Sequence, residues 1–208
     1  MHIGIIGSGN VGGALGTRWA QAGHQVVFGS RNPGSDEMRE LVARAGARAA
    51  SSQEAVAASE LSLLATPWPA TQAVLEGLGD LTGKVLIDAT NPLLPNLSGL
   101  EIGTTTSAAE QVAGWARGAQ VVKAFNTVGF NIMANPAFGA DRPVMFYCGD
   151  DKAAKQTVKP LVEQLGFEAV DAGPLSQARL LEPFALLWIS LALMYGQGRE
   201  IAFKLLRR

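Results

Sequence analysis

The N-terminal strand–turn–helix–strand pattern constrains this chain more than any other stretch. An apolar run over residues 2–6 leads directly into a G-x-G-x-x-G turn made of Gly7, Ser8, Gly9, Asn10, Val11 and Gly12. A small-residue helical stretch then runs to Ala22 and stops at Gly23, and a second apolar run follows over residues 26–28. A glycine turn in this setting is typical of a dinucleotide site. The chain is therefore predicted to bind a dinucleotide through these six residues.

Each glycine of the turn has a mechanical role. Gly7 permits the tight turn off the strand, Gly9 lets the backbone approach a pyrophosphate, and Gly12 lets the helix lie close to the sheet. Gly12 and Gly16 stand four residues apart, so they share one face of the helix. The N-terminus of that helix offers free N–H groups and the positive end of its dipole to the phosphates.

The residues after the second strand decide which dinucleotide is expected. An NAD site places a carboxylate about 20 residues after the glycines, where it bonds the ribose 2′-hydroxyl. This chain has Ser30, Arg31 and Asn32 there, with no acid before Asp36. A guanidinium beside a hydroxyl suits a 2′-phosphate, because arginine donates forked, charge-assisted hydrogen bonds. NADP(H) is predicted over NAD(H), with these three residues binding the cofactor; the alternative is that Arg31 is a solvated surface residue.

Apolar strand-like runs alternate with helical stretches through most of the chain. This alternation predicts an α/β fold of the Rossmann type, doubly wound, with a mostly parallel sheet and a C-terminal helical segment. Residues 1–173 are expected to form the NADP-binding domain with added strands. Residues 174–208 are expected to form a helical segment that completes the acceptor pocket and contributes to a dimer interface.

Local signals place several helix boundaries. Ser52 is predicted to cap a short helix over residues 53–58, and the helix after Pro69 is predicted to begin at Ala70. Pro183 is predicted to open or kink a helix. Residues 186–195 are apolar nearly all round, which requires burial inside the fold or in a subunit interface. A homodimer contact is the favoured interpretation, and simple core packing is the alternative.

Three strands end abruptly in turns that contain polar or aromatic residues. In a parallel sheet, ligands bind beyond the carboxyl ends of the strands, near the point where the strand order reverses. The turns fall on that edge, so we assign to the pocket Thr66, Pro67, Trp68, Asn91, Ala124, Phe125 and Asn126. A strand-terminating turn without a ligand is the alternative for each of them.

The bulk composition excludes several classes of partner. Hydrophobic residues make up 48% of the chain and charged residues 17%, with a formal net charge of −1. These values give no reason to expect nucleic acid or an anionic membrane surface as a partner. The chain has no basic secretory signal, and its longest apolar run is too short to span a bilayer. Cys148 is the single cysteine and is expected to be buried and inert, so a cytoplasmic protein is predicted.

The chain shows no nucleophilic or metal-binding pattern, so neither a catalytic residue nor a metal site is predicted. His2 and His24 precede the first two strands and fall on the edge away from the cofactor. Lys123 lies in a strand, where a buried lysine needs a partner or loses its charge. Pairing with a carboxylate is favoured over a proton-donor role. The acceptor is then expected to be a good hydride acceptor itself, such as a flavin or deazaflavin, and the protein supplies orientation.

Five segments together resemble the coenzyme F420-dependent NADP oxidoreductase family. They are the glycine turn, residues 29–33, residues 66–68, residues 124–127 and residues 171–175, and the resemblance runs from about residue 2 to residue 207. It implies reversible hydride transfer between the nicotinamide of NADPH and C5 of the deazaflavin coenzyme F420. It also implies that Ser30 and Arg31 hold the 2′-phosphate, and that the C-terminal segment closes the deazaflavin pocket.

The identity of the acceptor stays open at this stage. The Phe125-Asn126-Thr127 motif is also similar to the cytosolic reductase domain of transmembrane ferric reductases, which bind NADPH and a flavin. A reductase of small imines or carbonyl compounds is a third hypothesis, and it would require a placed proton donor near Asn126. A non-catalytic NADPH sensor is the fourth. The expected partner is a small-molecule redox cofactor that serves as the substrate.

Overall fold

The computed structural model describes residues 1–208, in which strands and helices alternate. The strands are β1 (His2–Ile6), β2 (Gln25–Gly29), β3 (Arg48–Ala50), β4 (Leu61–Leu64), β5 (Val85–Asp88), β6 (Gln120–Lys123), β7 (Val144–Gly149) and β8 (Glu168–Asp171). The helices are α1 (Asn10–Gln21), α2 (Asp36–Ala45), α3 (Ser52–Ala57), α4 (Trp68–Leu78), α5 (Ala108–Trp115), α6 (Phe130–Ala134), α7 (Lys152–Gln164) and α8 (Ala178–Leu193).

All eight strands form one sheet in the order β3-β2-β1-β4-β5-β6-β7-β8. The first six strands are parallel, β7 is antiparallel to β6, and β8 is again parallel to β7. The predicted Rossmann-type fold with a mostly parallel sheet is thereby confirmed. The strand order reverses between β1 and β4, which places a crevice at the carboxyl ends of these two strands.

The helices cover both faces of the sheet, and each face has its own apolar core. Successive residues of a strand point to opposite faces. Ile5 of β1 accordingly packs in a core cluster with Trp19 and Phe28, whereas Ile6 packs in a second cluster with Leu75. Helices α1, α2, α6 and α7 contribute to the first cluster, and α3, α4, α5 and α8 contribute to the second.

The glycine face of α1 lies against the sheet, as predicted. A Cβ atom added to Gly16 would lie 2.7 Å from Cζ of the Phe28 ring and 3.1 Å from the Ile5 side chain. Glycine at this position therefore lets α1 approach β1 and β2 closely enough to align its N-terminus with the end of β1.

Several helix boundaries differ from those expected. Ser51, not Ser52, caps α3, because its side chain accepts from the N–H of Glu54 while the Glu54 side chain accepts from the N–H of Ser51. Helix α4 begins at Trp68, two residues before the predicted start, since Pro69 sits in the first turn, where no N–H is needed. Helix α8 begins at Ala178 and contains Pro183 in its interior, so Pro183 does not open it.

The last residues of the chain pack against the start of β7 and against α8. The N–H of Val144 donates to the carbonyl of Phe203 at 2.9 Å, and the indole N–H of Trp188 donates to the carbonyl of Ile201 at 2.8 Å. The Phe203 ring lies 4.4 Å from that of Phe184.

None of the helices combines the length and the apolar character that a membrane-spanning helix needs.

Candidate nucleotide and acceptor site

The glycine turn is shaped by contacts that leave no room for a side chain at two of its positions. Gly7 has φ of +98°, and a Cβ there would lie 2.6 Å from the carbonyl oxygen of Ala65. A Cβ at Gly12 would overlap the carbonyl oxygen of Gly7, whereas a Cβ at Gly9 would meet nothing within 4 Å. Gly9 is the N-cap of α1 and supplies no side-chain acceptor, so the first N–H groups of the helix are available to a phosphate.

A groove of about 520 Å³ adjoins this turn. Ser8, Gly9 and Asn10 line one end, and the groove continues along α1 between Arg44 of α2 and Phe130 of α6. The turn thus borders open space, but the groove runs down α1 and its lining includes neither Arg31 nor the residues at the ends of β4, β5 and β6.

The loop after β2 presents the predicted 2′-phosphate residues. The N–H of Ser30 donates to the carbonyl of Ala50 at 2.9 Å, and the Ser30 hydroxyl oxygen accepts from the N–H of Asn32 at 3.1 Å. Arg31 between them is exposed and takes part in none of the ion pairs. The Arg31 guanidinium therefore has no ionic partner within the protein and is available to a phosphate.

Two asparagine side chains join the ends of β5 and β6. The Nδ2 of Asn91 donates to the backbone carbonyl of Asn126 at 3.0 Å. The Nδ2 of Asn126 donates to Oδ1 of Asn91 at 3.2 Å and to the carbonyl of Leu181 in α8 at 3.0 Å. The Oδ1 of Asn126 is buried and has no partner. The structure thus brings together two predicted site residues and adds α8 to them.

Three other predicted site residues are packed in the core, and Asn126 is itself only 4% exposed. Ala124 and Phe125 expose no surface, so direct contact of either with a cofactor is not available in this structure. Phe125 has φ of +62°, and its ring packs edge-on against Trp19 with centroids 5.6 Å apart. Trp68 is 9% exposed, with its ring 5.4 Å from that of Trp115. Packing accounts for the burial of both rings, and binding of a cofactor by Trp68 stays a prediction.

The turn after β4 keeps its predicted place at the edge of the sheet. The hydroxyl of Thr66 lies 3.0 Å from that of Thr71 in α4, and Pro67 is exposed. Binding of a cofactor by these two residues stays a prediction, as it does for the glycine turn, Ser30, Arg31, Asn32, Asn91 and Asn126.

Lys123 is fully buried and paired with carboxylates, the favoured interpretation from the sequence. Its Nζ lies 2.9 Å from Oδ2 of Asp88, 3.1 Å from Oε1 of Glu182 and 2.6 Å from the carbonyl of Thr90. Burial alone would lower the pKa of Lys123, but the two carboxylates outweigh it and the pKa is raised. We call Lys123, Asp88 and Glu182 the charged cluster.

Glu182 is the functional candidate that reasoning from the sequence missed. The residue lies in α8, far from Lys123 along the chain, and only 1% of it is exposed. Its two carboxylate oxygens also accept from the N–H groups of Ala108 and Ala109, at 2.9 and 3.1 Å, at the start of α5. A lone acid within the apolar run around Leu181 was the available signal, because a buried carboxylate requires partners.

Cys148 lies in the core near this cluster, as predicted. Burial raises the pKa of its thiol to about 12, so the unreactive thiol form is present at neutral pH.

The strand order and the glycine turn define a dinucleotide-binding protein of the Rossmann type. Residues 2–92 match the family of coenzyme F420-dependent NADP oxidoreductases. The chain is 32% identical to the F420-dependent NADP reductase of Methanothermobacter marburgensis, over 92% of this chain and 92% of that relative. The chain therefore belongs to the coenzyme F420-dependent NADP oxidoreductase family.

Two further comparisons agree with this assignment. The crystal structure of a candidate F420-dependent NADP-reductase of Arthrobacter sp. FB24 superposes with a TM-score of 0.90 at 31% identity, over 100% of both chains. Metalloreductase STEAP3 of Rattus norvegicus is 32% identical over 88% of this chain, but the chain spans only 36% of that protein. The predicted family and its similarity to ferric reductases are both confirmed.

Proposed function

We propose that this protein transfers hydride between NADP(H) and the deazaflavin coenzyme F420. The observation that carries the proposal is full-length similarity to F420-dependent NADP reductases in a chain whose Arg31 lies free after β2. The proposal extends to residues 1–173 as the NADP-binding domain and to residues 174–208 as the segment that completes the acceptor pocket.

The chain's own residues account for binding and orientation of the nucleotide. The N–H groups at the start of α1 hold the pyrophosphate, and the missing side chain of Gly9 allows its close approach, while Gly7 and Gly12 allow the tight turn and the packing of α1 on β1. Ser30 and Arg31 bind the 2′-phosphate. Thr66 and Asn126, beyond the carboxyl ends of β4 and β6, are the residues that would hold the nicotinamide.

Orientation is the main contribution of the protein to the reaction. When bound, the nicotinamide supplies or receives the hydride and the deazaflavin ring is its partner. The charged groups nearest to the strand ends are Lys123, Asp88 and Glu182, which are buried and engaged with one another. They hold the site in place and do not exchange protons with the ring, so catalysis relies on proximity and alignment.

Arg31→Ala is expected to weaken NADPH binding by about 1.5–3 kcal/mol, roughly 10- to 150-fold, because a charged hydrogen-bonding partner of the 2′-phosphate is lost. NADH affinity should not change, since NADH has no such phosphate. Titration of the protein with both nucleotides measures the effect. Equal affinity of the unmodified protein for NADH and NADPH would contradict the assignment.

The acceptor is tested by following NADPH oxidation with coenzyme F420, FMN, FAD and ferric chelates in parallel. We expect coenzyme F420 to be reduced with the highest kcat/KM. The similarity to metalloreductase STEAP3 favours a flavin or ferric reductase as the second candidate, and faster reduction of those acceptors would establish it. Turnover of an imine or carbonyl compound would support the third hypothesis. Tight NADPH binding without turnover of any acceptor would indicate a sensor.

We also propose that the protein is a cytoplasmic homodimer, with a contact through α8. Leu187 is 48% exposed on this helix, and Tyr195 just beyond it is 71% exposed. Exposed apolar residues grouped on one element favour a subunit interface. The free thiol of Cys148 suits a reducing compartment, which fractionation of cells that make the protein would check.

Leu187→Glu is expected to convert the dimer to a monomer, because it places a charge in the centre of an apolar contact. Sedimentation velocity gives the mass directly. Ala153→Glu, at an exposed position on α7, introduces the same charge elsewhere and should leave the dimer intact. A monomeric unmodified protein at micromolar concentration would refute the interface.

A further inference from the structure

Two groups of residues connect helix α8 with strand β6 and the loop after β5. We call them the lower and the upper level. The lower level is the charged cluster of Lys123, Asp88 and Glu182, which is buried from solvent. The upper level is the carboxamide pair of Asn91 and Asn126, at the carboxyl edge of the sheet. Asp88 lies three residues before Asn91, and Lys123 lies three residues before Asn126, so short chain segments connect the two levels.

The orientation of the Asn126 carboxamide depends on two hydrogen bonds. Its Oδ1 has no partner, so only the two bonds donated by Nδ2 hold the group in one rotamer. Their acceptors are Oδ1 of Asn91 and the carbonyl of Leu181, at 3.2 and 3.0 Å. Displacement of either acceptor would leave the carboxamide with a single hydrogen bond.

The first acceptor is held by the cluster through Thr90, the residue before Asn91. Lys123 donates to the carbonyl of Thr90 at 2.6 Å. Oδ1 of Asp88 accepts from the N–H of Thr90 at 2.9 Å and from its hydroxyl at 2.7 Å. Three hydrogen bonds therefore fix Thr90, the residue immediately before Asn91.

The second acceptor is held through Glu182, the residue after Leu181. Glu182 contacts Lys123 at 3.1 Å and accepts from the first N–H groups of α5, at Ala108 and Ala109. These contacts fix the position of α8 at the turn that carries the Leu181 carbonyl. Both acceptors of Asn126 are thus adjacent in sequence to residues that the charged cluster holds.

We propose that Lys123, Asp88 and Glu182 are positioning residues for hydride transfer, which act by holding the Asn126 carboxamide in a single orientation beside the nicotinamide. The inference rests on the proposed function. Small displacements at a reacting centre are costly, since about 1 Å of misplacement can reduce the rate by about 100-fold. Loss of the cluster should accordingly lower kcat more than it weakens binding of NADPH at the distant glycine turn.

Glu182→Gln tests the proposal, because glutamine has nearly the same shape but lacks the charge that pairs with Lys123 and one of the two oxygens that accept from α5. Glu110→Gln is the matched control. Glu110 also joins α5 to α8, through Arg179 at 2.6 and 2.9 Å, but it does not contact Lys123. We expect Glu182→Gln to lower kcat by about 10- to 100-fold with NADPH affinity within about twofold. Glu110→Gln should leave both parameters within about twofold.

A second readout does not depend on turnover. In isotope-labelled protein, the Nδ2 hydrogens of Asn126 should exchange slowly with solvent, and Glu182→Gln should accelerate this exchange while Glu110→Gln does not. If Glu182→Gln fails to fold, Asp88→Asn takes its place, and the same two effects are expected. If the unmodified protein does not reduce coenzyme F420, the proposed function is refuted. The exchange measurement does not depend on turnover, so it still tests whether the charged cluster holds the Asn126 carboxamide.

Two results would overturn the positioning role. One is an unchanged kcat in the folded variants of the cluster. The other is a reduced kcat without any change in the exchange of the Asn126 carboxamide, which would place the effect elsewhere. Equal losses in Glu182→Gln and Glu110→Gln would show that attachment of α8 in general is responsible, and would also refute it.

Discussion

Replacement of Gly12 by alanine is expected to abolish measurable NADPH binding and to lower the free energy of unfolding by about 3 kcal/mol. The added methyl group would overlap the backbone carbonyl of Gly7, and a backbone atom cannot rotate away as a side chain can. Its second neighbour is the side chain of Ile5, at 2.9 Å. Helix α1 must therefore move from β1, and the N–H groups that face the pyrophosphate move with it.

Gly13→Ala is the matched control, one residue further along α1. A Cβ there would lie 3.7 Å from the carbonyl oxygen of Ser8 and 3.8 Å from Leu41, which are ordinary contacts. Since glycine is unfavourable inside a helix, this change should raise the free energy of unfolding by about 0.5–1 kcal/mol and preserve NADPH binding. Chemical denaturation and nucleotide titration of both variants provide the measurements. Wild-type affinity in Gly12→Ala would show that the nucleotide does not bind at this turn.

Lys123→Met is expected to lower the free energy of unfolding by about 3–5 kcal/mol at neutral pH. Methionine fills the space of the lysine chain, but the carboxylates of Asp88 and Glu182 then face each other in the core without a cation. Removal of one member of a buried ionic group leaves an uncompensated charge, and this cost is larger than the value of the pair itself. Denaturant unfolding curves of the two proteins give the difference.

The pH dependence of this difference follows from the raised pKa of Lys123. A cation whose pKa is higher in the folded state than in the unfolded state stabilises the fold fully below the unfolded value. That stabilisation is lost as the pH rises through the folded value. The contribution of Lys123 should therefore persist from neutral pH to the ordinary pKa of lysine, and decline only at higher pH.

Lys155→Met supplies the control for charge removal. Lys155 pairs with Asp171 at 2.9 Å, but the side chain of Asp171 is 43% exposed, so water can solvate the remaining carboxylate. We expect a loss of at most about 1 kcal/mol. Equal losses of unfolding free energy in the two lysine variants would mean that burial of the charged cluster does not increase the cost of removing its cation.

Features that depend on neighbouring residues were predictable from the sequence. The spacing of Gly7, Gly9 and Gly12 between an apolar run and a helix identified the nucleotide turn. The arginine at position 31 indicated NADP(H), and the alternation of strands and helices indicated the doubly wound sheet. Each of these signals lies within a short window, where local sterics, hydrophobic period and charge determine the conformation.

Features that depend on distant residues were not predictable in this way. The pairing of Glu182 with Lys123, the burial of Phe125 against Trp19 and the antiparallel placement of β7 all join segments that are far apart along the chain. The sequence required a partner for a buried lysine but could not specify which acids would reach it.

The sequence by itself thus determined the glycine turn, because one continuous segment builds the turn and the start of its helix. Only the tertiary structure decided how Asn91, Asn126 and Leu181 meet at the carboxyl edge of the sheet, because they come from three separate segments. The side-chain packing and ion pairing that bring such segments together exist only once the chain has folded.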